Sequence, residues 1–186
     1  MPYKIDEHRH RFSVWAAARA TQRGFSDVDT LRKALEACGV REFLATPNFG
    51  DIDATRFDAI HRQWCTSVMH FLKEVRIPNV TFGRAAKLIA MYLKSEVVLG
   101  PGSRTALARI AHPPIDGILL SNLAASSDVN SEHKRKWAKT KWTKLNEQQY
   151  YELMEQLRGV LGHEHGHEEP FWKLERFWTV TDDAGR

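Results

Sequence analysis

Two residues in this chain could do chemistry together, Lys87 and Asp116. Lys87 stands near the start of the apolar run Leu88-Ile89-Ala90-Met91-Tyr92-Leu93, just after the glycine of Thr81-Phe82-Gly83-Arg84. Apolar residues at 88, 89, 92 and 93 have helical spacing, with Thr81 as the N-cap and Gly83 permitting a tight backbone turn. Arg84, Lys87, Met91 and Lys94 fall on one face, which the spacing predicts to be basic, with the core opposite. A lysine at such a border is partly desolvated and has a cationic neighbour. Both effects lower its pKa and leave more free amine, as a nucleophilic or Schiff-base lysine requires.

Asp116 lies 29 residues on, in Ala111-His112-Pro113-Pro114-Ile115-Asp116. The prolines hold the chain extended, and Asp116 then reads as the N-cap of a helix carrying Ile118, Leu119, Leu120 and Leu123. Taken singly, Asp116 is a helix cap and Lys87 a surface cation. The order of features joins them: glycine turn, lysine, apolar helix, break at Gly100-Pro101-Gly102, extended proline stretch, aspartate, apolar helix.

The elements around this centre are helical. Residues His8 to Gly24 form one helix with Phe12, Trp15, Ala16, Arg19 and Ala20 on a face, and Ser26 to Cys38 a second, stopped by Gly39. Val40 to Asp51 reads as a loop. Asp53 to Val75 is the longest helix, with a stripe of Phe57, Ile60, Trp64, Val68, Phe71, Leu72 and Val75. Ser103 to Ile110 is a short helix holding Arg104 and Arg109, two candidate phosphate contacts. Ser126 to Lys144 is strongly basic, with Trp137 and Trp142 interleaved, a pattern that suits phosphates and stacked bases. Asn146 and Gln149 make a capping box for a helix burying Tyr150, Leu153, Met154, Leu157 and Leu161. The segment Gly162 to Glu169 alternates histidines in a hydrophilic, Gly-containing stretch and reads as a mobile loop. Thr181 to Arg186 reads as a disordered tail. Strand signals are weak throughout, so the expected fold is all-α, one compact domain over residues 1–186.

The Lys87 and Asp116 segments resemble the helix-hairpin-helix DNA glycosylases, above all their 8-oxoguanine branch. In those enzymes the hairpin reads Gly-x-Gly-x-Lys before an apolar helix, and the aspartate lies in an apolar-Pro-apolar-Asp run. The matching positions are Gly83, Ala85 (in place of the second glycine) and Lys87, then Pro114-Ile115-Asp116. The resemblance covers roughly a quarter of the chain. It implies a helix-hairpin-helix element within 77–125, Lys87 as the amine attacking sugar C1′, and Asp116 stabilising the cationic sugar. It implies backbone contacts to a phosphate at Gly83 and the start of the Lys87 helix. The partner would be double-stranded DNA, with Arg84, Lys94, Lys141 and Lys144 as further contacts. Trp64, Trp15 and His112 are the candidate base-binding residues. The base would be 8-oxoguanine, or a modified base of phage DNA removed in defence. No cofactor and no metal enters this reading.

Composition agrees with a globular chain. Of 186 residues, 42% are hydrophobic and 27% charged, and the net charge is +4. That charge permits nucleic-acid binding without demanding it. No apolar run is long enough for a membrane span, and no signal-peptide pattern opens the chain. The two cysteines, Cys38 and Cys65, are expected as free buried thiols in a reducing cytoplasm. No obligate protein partner is evident. Two other functions fit parts of the sequence. A non-catalytic helical DNA-binding protein would use the basic Trp-containing segment equally well. A metal-dependent hydrolase would use His163, His165 and His167, but no helical His-x-x-x-His pair supports it.

Overall fold

The structure is a computed structural model and describes residues 3–127, 129, 131–164 and 167–179. The chain folds as a helical bundle. In order the helices are α1 (Ile5–Thr21), α2 (Val28–Glu36), α3 (Val40–Leu44), α4 (Ala54–Glu74), α5 (Phe82–Leu93), α6 (Ala106–Ile110), α7 (Gly117–Ala125), α8 (Ser131–Lys139) and α9 (Glu147–Leu161). A π-turn (Lys94–Val98) extends α5, and 3-10 segments lie at Trp142–Lys144 and Phe171–Phe177. A two-residue antiparallel ladder, β1 (His163–Glu164) with β2 (His167–Glu168), stands where the sequence predicts a loop. His165, Gly166 and the tail from 180 on lie outside the described residues. The expected loop after Gly39 instead begins with α3, entered from Gly39 in the left-handed region (φ 90°).

Helix α5 is the centre of the bundle. It packs on α1, α4, α2, α9 and the Trp142–Lys144 turn. Ala17 and Ala18 of α1 and Ala85, Ala86 and Ala90 of α5 are all buried, and such small side chains let two helix backbones approach closely. The basic face expected for α5 is therefore not a solvent face. Ten of its twelve residues are buried, Lys87 among them at 8% exposed. Desolvation of a lysine is costly, so its partners decide whether this arrangement is stable.

The caps follow the sequence. Thr81 Oγ1 accepts from the Arg84 amide (3.4 Å), and Asp53 accepts from Arg56 (2.8 Å). The Asn146–Gln149 capping box is formed in both directions. Helix α2 is capped one residue later than the Ser26 start implied, by Asp27 on Thr30 (2.9 Å). Between α4 and α5 the chain reverses through Arg76 (φ 59°) and Asn79 (φ 58°), both left-handed without glycine. The Ile77 amide reaches Leu72 O (2.9 Å) and the Arg76 amide Lys73 O (2.9 Å), which closes the end of α4. The segment after α6 is extended and buried from Ala111 to Ile115, so Asp116 arrives at the core already inside the molecule.

Candidate active site

Lys87 and Asp116 meet. Lys87 Nζ lies 3.2 Å from Asp116 Oδ2. The carboxylate divides its two oxygens. Oδ1 accepts from the Leu119 amide (3.0 Å) and caps α7; Oδ2 faces Lys87 and the Trp178 indole N–H (3.0 Å). The cap fixes the side-chain rotamer, and Oδ2 is left where a reacting centre can approach.

The electrostatics follow from burial. Burial pushes the Lys87 ammonium below its ordinary value; Asp116 opposes the shift, and the Arg23 charge adds to it. Burial alone would raise the Asp116 carboxyl, but the Leu119 amide, Lys87 and Trp178 outweigh it and hold it below the usual carboxylate range. The result is a firm carboxylate beside an amine that gives up its proton more readily than a surface lysine does. The Lys87 ammonium also sits over the Trp142 ring, 4.6 Å from its centroid.

Both groups open onto a cleft of about 850 Å³. Trp142 and Trp178 flank it, and Arg19, Arg23 and Arg84 line the rest of its charged wall. The Trp178 segment is held in place by Asn122, whose Nδ2 donates to Phe177 O (2.8 Å). A cleft of this volume is large enough for a planar group the size of a purine.

The other expected site residues are placed as follows. Arg84 lines the cleft. Trp64 does not: it is 4% exposed and packs edge-on against Phe43 (5.3 Å) and Phe57 (6.5 Å), because the apolar stripe of α4 carries it into the core. His112 is also a core residue. Its Nδ1 lies 3.2 Å from Tyr150 Oη, and its Nε2 lies 3.0 Å from Asp58 Oδ1 and 3.2 Å from the Arg158 guanidinium. The extended stretch that delivers Asp116 is anchored there. Trp15 is 52% exposed and pairs with Phe12 (5.9 Å), outside the cleft lining.

Gly83 offers no amide to a phosphate, since its N–H donates to Leu145 O (3.0 Å). The glycine is needed for another reason. A Cβ there would stand 2.0 Å from Trp142 O, so only glycine lets the Trp142 turn lie against α5. Lys94 is taken by an ion pair with Glu175 and is not free for DNA. Lys141 and Lys144 are exposed and share a shallow basic depression with Lys136 and Lys139.

The two tryptophans of the basic segment part ways. Trp137 is 1% exposed and donates to Gln156 Oε1 (3.2 Å), a core position rather than a base-stacking one. Trp142 reaches the cleft. Trp178 is the wall residue that the sequence reading missed. It lies 62 residues from Asp116, and no spacing rule connects them.

His10 is buried, with its Nδ1 2.9 Å from Tyr92 Oη. Cys38 and Cys65 are buried and free, and burial pushes the Cys38 thiol up to about 12. Among the described residues no helix is long and apolar enough to cross a membrane.

No family model, no curated protein and no solved structure matches this chain.

Proposed function

We propose that this protein is a DNA glycosylase that removes a damaged or modified base extruded from the duplex. The observation that carries the reading is the 3.2 Å approach of Lys87 to Asp116 at a cleft between two tryptophans. A flipped base would stack between Trp142 and Trp178, offsetting the few kcal/mol lost on unstacking (roughly 1–3 kcal/mol is recovered per stacked base). The sugar C1′ would then lie over Lys87 Nζ and Asp116 Oδ2. As the glycosidic bond breaks, positive charge develops on the sugar, and the adjacent carboxylate stabilises it. The Lys87 amine forms the new bond to C1′ and loses its proton, while the departing base gains one. Collapse to a Schiff base would permit strand cleavage by β-elimination. An enzyme without that step would use Asp116 to activate water instead. The base is 8-oxoguanine or a modified phage-DNA base, and the lysine-rich surface supplies affinity for either duplex.

The decisive experiment is borohydride trapping on duplexes carrying 8-oxoguanine or an abasic site. The expected result is a covalent protein–DNA band that disappears in Lys87→Ala. No band, with no base release from oxidised or phage-modified DNA, overturns the glycosylase and favours a second reading. That reading is a non-catalytic DNA-binding protein, supported by Lys136, Lys139, Lys141 and Lys144, which line one depression and have no ion pair among the described residues.

A further inference from the structure

The charged wall of the cleft is unbalanced. Arg19, Arg23 and Arg84 line it together with Lys87, and among the described residues Asp116 is the one carboxylate in the lining. Asp116 is already committed to Lys87, Trp178 and the α7 amide. Neither Arg19 nor Arg23 has an ion pair among the described residues, and both are exposed.

Arg84 is the sharper case. Its guanidinium carbon sits over the Phe25 ring, 4.2 Å from the centroid. Its Nε and Nη1 are shielded from solvent and have no acceptor among the described residues. Nε–H and Nη1–H leave the guanidinium along different edges, so each can donate to a separate oxygen of a phosphodiester backbone. Leaving such donors unsatisfied is costly, and the site does so beside two further free cations. Burial lowers the Arg84 pKa, and among the described residues no carboxylate opposes it. A single small anion would not engage all three arginines and also explain a cleft with aromatic walls.

We propose that Arg84, with Arg23 and Arg19, forms a phosphodiester subsite that grips the backbone of one nucleotide whose base enters between Trp142 and Trp178. This rests on the nucleic-acid reading given above and specifies its ligand as a nucleotide with phosphate on the sugar. Arg84 lies one helical turn before Lys87, so the phosphate and the sugar carbon are presented to one helix face three residues apart.

The probe is thymidine 3′,5′-bisphosphate, followed through the fluorescence of the tryptophans. Inorganic phosphate and unphosphorylated thymidine are the comparisons. Saturable binding of the bisphosphate is expected. It should weaken at least tenfold in Arg84→Lys, which keeps the charge but loses the two directed N–H donors, and similarly in Arg23→Ala, an exposed position whose loss spares the fold. Unchanged binding in both variants overturns the subsite. Binding no tighter than inorganic phosphate also overturns it, and leaves an anion site only. This result is separable from the glycosylase itself. A bisphosphate bound through Arg84 and Arg23, with no base released from any duplex, would remove the proposed catalysis and leave the subsite standing.

Discussion

Trp178 donates its indole N–H to Asp116 Oδ2, the same oxygen that Lys87 approaches. Two donors therefore converge on one lone-pair-bearing atom, and the segment after the last 3-10 turn becomes part of the site. Trp178→Phe keeps the aromatic wall and removes one donor. The Asp116 carboxyl should then titrate at higher pH than in the parent protein, and stability should fall by about 1 kcal/mol, the usual worth of one hydrogen bond. Carboxyl titration by NMR checks the first effect and urea unfolding the second.

Removing the carboxylate strands the buried ammonium. Asp116→Ala should cost about 3 kcal/mol, since it unpairs Lys87 and also uncaps α7. Asp116→Asn retains a capping oxygen and should recover about 1 kcal/mol of that loss. Lys87→Met in the Asp116→Asn background should recover more, because no buried charge remains. Equal midpoints for all these variants in urea would show the pair to be energetically idle.

Gly83→Ala should destabilise by about 1–3 kcal/mol, as overpacking does, because its Cβ meets the Trp142 carbonyl and neither backbone can yield cheaply. Borohydride trapping, where the parent gives a band, should fall in this variant although no reacting group has changed. Thermal melts beside the trapping assay separate the displaced turn from simple unfolding.

Trp64→Ala should lower stability by about 3–5 kcal/mol, the cost of a large void in the core. Trp15→Ala should leave the melting temperature nearly unchanged, since that ring is half-exposed. Reversed magnitudes would contradict the placement of the two rings.

Acid should unfold the protein through its buried histidines. Burial pushes His61 well below its ordinary 6.5, and the His112 charge adds to this; burial also lowers His112, against the pull of Asp58. The unfolded chain takes up protons near pH 6.5 that the folded chain refuses, so stability is full above that pH and falls below it. The slope is at most about 1.4 kcal/mol per pH unit for each histidine. Asp58 and Asp116, both held low, add losses only in the carboxylate range, below 3.8. Urea midpoints between pH 7.5 and 5 measure the slope, and His112→Gln should flatten it.

Most of the helices and their caps were legible in the sequence because each is set by local chemistry; α3 and α8 were not, and the meeting of Lys87 with Asp116 was implied by the family resemblance rather than by spacing. Thr81, Asp53, Asp116 and Asn146 all cap as their spacing implies. What spacing could not convey is which polar residues the fold would bury. His112 lies four residues before Asp116 in the sequence and reads as part of a site, yet Tyr150 and Asp58, distant in the chain, hold it in the core. Lys94 shares the helix face of Lys87, but Glu175 neutralises it from 81 residues away. Gly83 fits a hairpin pattern for a reason of packing: its partner is the Trp142 carbonyl. Trp178 was invisible because tertiary docking alone brings it to Asp116.

The Trp142–Lys144 turn has two sides. Trp142 and Thr143 face the cleft, while Lys141 and Lys144 face the lysine depression. Thr81 Oγ1 donates to Thr143 O (2.9 Å), and the Gly83 amide donates to Leu145 O (3.0 Å), so the turn is tied to the first residues of the Lys87 helix at both ends. The backbone of the turn is therefore held at a constant offset from the start of the Lys87 helix. On the proposed nucleic-acid reading the turn would act as a ruler, with the spacing between the lysine depression and the cleft set by these hydrogen bonds.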